Sequence, residues 1–164
     1  MKEFSIWKTI KLGTCKNVEE LKKSIKDKGF RIGSWAEDVL DSTSFTMSSI
    51  EKEVALVKIT PSDLGFSNGA YRKDIYKKAI ELGLEVCPLE VGPQLRIQYL
   101  NQPKLESLQI GMESQFDSEN HESQFRVVYG EDDFIWLVGD HKHLDDFWKE
   151  NEYFIFIQPK LHYF

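Results

Sequence analysis

Residues 70–99, AYRKDIYKKAIELGLEVCPLEVGPQLRIQY, constrain the fold more than any other stretch of the chain. Tyr71, Ile75, Ala79 and Leu82 recur at spacings of three to four, which puts them on one face of a helix. Asn68 stands where a side-chain oxygen can accept a backbone N–H at the helix start. Gly83 tolerates left-handed backbone and marks the end, with Leu84 folding back onto the last turn. Pro88 and Pro93 argue against a further helix nearby, and Gly92-Pro93 reads as a turn. From Gln94 the period becomes two. Leu95, Ile97 and Tyr99 fall on one side; Gln94, Arg96 and Gln98 fall on the other. That alternation predicts a half-buried strand.

The rest of the chain sorts around this stretch. Residues 5–12 alternate as a strand. Asn17 with Glu20, and Ser34 with Glu37, have the spacing of helix starts. The nearly continuous apolar run 54–59 reads as a buried strand. After Tyr99 the pattern is β: strands are expected over 107–112, 124–129, 134–138 and 153–157, with one helical turn suggested by Leu144, Phe147 and Trp148. The expected class is α+β, a helix-rich N-terminal portion (1–92) packed on a C-terminal, mostly antiparallel β-meander (93–164), within a single domain of 164 residues.

Hydrophobic residues make up 41% and charged residues 29%, as in soluble globular chains, and no apolar run is long enough to span a bilayer. The opening MKEFSIWK lacks an apolar core, so no secretory signal is expected. Cys15 and Cys87 have neither metal nor redox spacing and read as free thiols of a reducing, cytoplasmic compartment. Net charge is −6, divided as +2 over residues 1–100 and −8 over 101–164. An acidic chain neutralises phosphates poorly, which disfavours nucleic acid as a partner.

Several blocks together resemble an uncharacterised family of small bacterial proteins: WKTIKLGT at 7–14, RKDIY at 72–76, ELGLEVCPLEVGPQLRIQY at 81–99, IGME at 110–113, WL at 136–137 and DDFW at 145–148. The DS pair at 117–118 belongs to the same pattern. The resemblance covers nearly the whole chain and implies a small bacterial domain; it carries no activity, cofactor or site.

Four arrangements bear on chemistry. Residues 65–69, GFSNG, match the G-x-S-x-G elbow that presents a nucleophilic serine between a strand and a helix, here Ser67. The predicted strand ends near Thr60, however, so a turn capping the next helix is the plainer reading. Asp140, His141 and His143 form the only histidine cluster and are the candidate ligands should a transition metal bind, although three or four donors must converge and no metal or other cofactor is expected. Lysines 22, 23, 26 and 28 stud the first helix and are expected to form a solvated face. On the predicted strand, Gln94, Arg96 and Gln98 share one face, with Gln109 and Arg126 expected beside them and Glu90 across the turn. Arg offers a forked donor and Gln both a donor and an acceptor, so these six residues are the expected ligand-binding set on a polar sheet face. The function read from this is a non-catalytic binding domain for a protein or a small anionic ligand. The alternative is a small hydrolase using Glu90 or Glu113 as acid/base or the histidine cluster as a metal site.

Overall fold

The computed structural model describes residues 4–116 and 119–160. The elements in chain order are β1 (Lys8–Leu12), α1 (Val18–Asp27), β2 (Arg31–Ile32), α2 (Ser34–Leu40), β3 (Lys52–Ile59), β4 (Ala70–Tyr71), α3 (Arg72–Glu81), α4 (Val91–Gln98), β5 (Ser107–Ile110), β6 (Gln115–Phe116), β7 (Glu122–Tyr129), β8 (Ile135–Asp140), β9 (Phe147–Trp148) and β10 (Tyr153–Gln158). The class is α+β.

One large sheet runs in the order β1-β3-β10-β5-β7-β8-β2, with β6 added beside β7; β4 and β9 make a separate two-stranded ribbon. The sheet is mixed. β10 runs parallel to β5 and β2 parallel to β8, while the other pairs are antiparallel. This corrects the expected antiparallel meander. The expected division into halves also gives way, because β1 and β3 from the first hundred residues continue the same sheet as β10 and β5.

The local end signals hold at two helices. Asn17 Oδ1 accepts the Glu20 backbone N–H at 2.9 Å and caps α1. Gly83 adopts φ +95°, its N–H reaching Ile80 O and the Leu84 N–H reaching Ala79 O, both at 3.0 Å. That bond pair is the Schellman stop, and it places Leu84 in the core. Three other readings are corrected. α3 begins at Arg72 with no side-chain cap, because Ala70–Tyr71 is drawn into the ribbon with β9. For the same reason Phe147 and Trp148 are strand and not a helical turn. Lys22 leaves the solvated lysine face: it is buried and ties α1 to α2, its Nζ 2.6 Å from Asp41 and 3.3 Å from Glu37.

The largest correction is α4. Residues 94–98 are helix, not strand. Pro93 is its third residue, where the missing N–H would have had no helical acceptor in any case. Every residue from Val91 to Ile97 is buried, so the helix has no wet stripe to show a period of 3.6.

The sheet separates two apolar layers. On its inner face Ile10, Leu12, Leu56, Phe125, Val127, Leu137 and Ile155 pack with Leu21, Ile25, Val39, Leu40 and Leu95 of α1, α2 and α4. On its outer face Val57, Ile59, Phe154 and Phe156 pack with Ile75 and Ala79 of α3 and with Trp148 of the ribbon. That outer cover lies over β3 and β10. Across β5, β7 and β8 the outward positions Ser107, Gln109, Arg126, Val128, Val138 and Asp140 are only half-buried.

Candidate binding face

The six residues expected to form one polar face lie on opposite sides of the sheet. Glu90, Gln94, Arg96 and Gln98 belong to the inner layer; Gln109 and Arg126 belong to the uncovered outer face.

The inner four are structural. Glu90 caps no helix N–H but binds elsewhere: its Oε2 accepts the Gly13 N–H at 2.8 Å and the Gln94 amide at 2.9 Å, and its Oε1 accepts the Ser48 N–H at 2.8 Å. Gln94 donates also to Thr14 Oγ1 at 2.8 Å and accepts from Gln98 Nε2 at 2.9 Å. Gln98 exchanges two bonds with the Lys11 peptide of β1, accepting its N–H at 2.9 Å and donating to its carbonyl at 2.8 Å. The i, i+4 spacing of 90, 94 and 98 stacks the three side chains along one side of α4. This ladder ties α4 to β1 and to the 42–49 loop.

Arg96 is 0% exposed. Its Nη1 donates to Gln102 Oε1 at 2.6 Å and Trp136 O at 3.3 Å, its Nη2 to Tyr99 O at 2.8 Å, and its guanidinium lies 4.6 Å from the Phe30 ring centroid. These partners are neutral, and burial lowers its pKa to about 10. Arg96 is therefore a strut, and the expectation of a water-accessible arginine is overturned.

The outer pair does meet. Gln109 and Arg126 are directly opposite in the β5–β7 register. Arg126 Nε sits 2.8 Å from Asp140 Oδ2 and Nη2 3.3 Å from Oδ1, while Nη1 donates to Ser107 Oγ at 3.1 Å. The Gln109 side chain makes no hydrogen bond among the described residues. At the Gln109 end the face deepens into a groove of about 270 Å³, walled by Leu105, Trp148, Asn151, Glu152 and Tyr153. Glu106 at its rim is fully engaged, with Lys58 Nζ at 2.8 Å on one oxygen and Tyr99 OH at 2.8 Å on the other. Burial, and the bond to that carboxylate, push the Tyr99 phenol up.

The metal candidates separate. Asp140 is committed to Arg126. The His141 ring stacks on Trp35 at 3.7 Å between centroids, and His143 Nδ1 lies 3.6 Å from Glu122. Among the described residues no group of three or more His, Cys, Asp or Glu side chains could hold a metal ion. Ser67 sits in a turn after the short helical segment Ser62–Leu64, not on a strand-to-helix elbow. Cys15 and Cys87 are both free; Cys87 is buried, its thiol donates to Ile155 O at 3.4 Å, and burial pushes its pKa up. Glu113 is exposed beside a separate cavity lined by Thr46 and Pro88. Trp148, Asn151 and Tyr153 also line the groove and are not legible in the sequence, because the parallel β5–β10 pairing that brings this part of the chain to Gln109 leaves no mark in local periodicity. No helix among the described residues is long and apolar enough to cross a membrane. No family model, curated protein or solved structure matches the chain.

Proposed function

We propose that this chain is a non-catalytic binding module of the bacterial cytoplasm, and that it recognises its ligand with the uncovered outer face of β5, β7 and β8. The observation that carries the reading is the asymmetry of the sheet. The inner face and the β3–β10 part of the outer face are covered by helices and ribbon, while a contiguous set of polar positions around Gln109 and Arg126 stays open to water. Polar groups held on paired interior strands keep their geometry without a ligand, the preorganisation a binding surface needs. Free Cys15 and Cys87 suit a reducing compartment.

The face offers hydrogen bonding more than charge. Arg126 is matched by Asp140 and Lys58 by Glu106, so the small anion expected from the sequence has less support here than a neutral polar ligand. The hydrolase alternative also has less support: donors occupy both oxygens of Glu90, and Glu113 lies beside a different cavity.

The test is a fragment screen read by amide and side-chain NMR shifts. Hits are expected to cluster on Ser107, Gln109, Arg126 and Val138. Hits gathered instead around Thr46 and Glu113, or no hits at all, would overturn the reading.

A further inference from the structure

We propose that the groove beside Gln109 binds a neutral, hydroxyl-rich ligand of one or two rings, a saccharide. The inference rests on the binding-face reading above and deepens it.

The groove's chemistry selects this class by elimination and by fit. An anion needs an uncommitted cation. Arg126 gives Nε and Nη2 to Asp140 and Nη1 to Ser107, and Lys58 gives Nζ to Glu106. A cation needs an uncommitted carboxylate. Both oxygens of Glu106 are occupied, and Glu152, whose Oε2 accepts the Lys149 N–H at 3.3 Å, is left as a single half-buried carboxylate, and one water-screened ion pair contributes little to holding a cation. A peptide added as a strand needs a free strand edge. β5 lies between β10 and β7, and β10 between β3 and β5, so neither offers one.

What remains suits a sugar. The carboxamides of Gln109 and Asn151 form no hydrogen bond among the described residues, and each can donate to one hydroxyl while accepting from the next. Trp148, 8% exposed, lines the groove, and its buried indole N–H has no partner among the described residues, so the indole serves as a reporter of the groove and not as a donor to the ligand. Tyr153, 38% exposed, and Leu105 present apolar surface on which the C–H face of a pyranose ring can lie. The volume of about 270 Å³ falls just below drug-sized pockets, a scale suited to a monosaccharide or disaccharide and too small for a folded partner.

The experiment titrates the full chain with maltose, cellobiose and chitobiose while recording ¹H–¹⁵N spectra. At least one of the three is expected to give saturable shifts of the Trp148 indole and of the Gln109 and Asn151 carboxamide cross-peaks. Gln109→Ala and Asn151→Ala should each weaken that binding by about fivefold or more, the loss expected for a removed hydrogen bond, with an unchanged melting temperature showing that the variant is folded. Silence of these three cross-peaks with all three sugars, or sugar-induced shifts located elsewhere, overturns the proposal. So do shifts of the same cross-peaks by acetyl-trialanine amide when the sugars give none, since a peptide is then the occupant. Fragment hits on Gln109 and Arg126 with the sugars silent would remove the saccharide and leave the binding face standing.

Discussion

Two arginines, one buried and one at the surface of the sheet, show how differently one residue type can serve the same chain. Arg96 of α4 is buried among carbonyls, an amide and a phenyl ring, while Arg126 of β7, on the sheet's outer face, is half-buried on a carboxylate. Removing Arg96 leaves Gln102 Oε1 and the Tyr99 carbonyl without their donors inside the protein. Arg96→Ala is expected to cost on the order of 3–5 kcal/mol in urea melts. Arg126→Ala, which breaks a partly buried pair and leaves the Asp140 carboxylate unmatched, should cost less, about 1–2 kcal/mol. Glu90 supplies a second contrast. Ala at this position strands the Gly13 and Ser48 N–H groups and should cost roughly 3 kcal/mol or more. Glu90→Gln keeps one oxygen acceptor, and the expected cost is about 1–2 kcal/mol in the same melts. The burial of Arg96 was not legible in the sequence, because arginine is ordinarily found at the surface and nothing in its immediate neighbours marks it as an exception.

At the scale of elements, legibility followed the range of the physics. The end of α3 was readable because Gly83 and Leu84 carry the stop within two residues. Gly83→Ala should destabilise by about 1 kcal/mol or somewhat more in a denaturant titration, Ala having to enter the left-handed region. α4 is not legible in the sequence because a helix shows there by its two-sidedness, and this one is enclosed on all sides. Its alternation of Leu95, Ile97 and Tyr99 with Gln94, Arg96 and Gln98 imitates a strand, while Gln94, Gln98 and the two terminal nitrogens of Arg96 find hydrogen-bond partners inside. Gly92 gives a test of this packing. In an open helix Gly→Ala gains roughly 1 kcal/mol. Here a β-carbon at Gly92 would stand 2.6 Å from the Phe125 ring, so Gly92→Ala is expected to lose about 1–3 kcal/mol instead. A gain in thermal stability would show that α4 does not lie against β7.

For the whole molecule, the class was legible and the topology was not. Strand-like runs announced themselves by alternation, but which strands would be neighbours, and that β10 joins β5 in parallel, depends on contacts between residues far apart in sequence. The candidate face shares that origin: Gln109 and Arg126 are readable as polar sheet positions, whereas the groove beside Gln109 is assembled from two stretches far apart in sequence, 105–109 and 148–153. The order of strands also leaves β1 at one end of the sheet, with Gln98 bonded to the Lys11 peptide as a neighbouring strand would be. Its carboxamide thus occupies a place where a second molecule could begin to zip on. In solution this makes a helix side chain a guard against aggregation, a task usually given to charged or kinked edge strands. Gln98→Ala should lower stability by only about 1 kcal/mol, yet sedimentation velocity at rising concentration should show self-association in the variant that the parent chain lacks. A strictly monomeric variant would mean that the rest of β1 already defends itself.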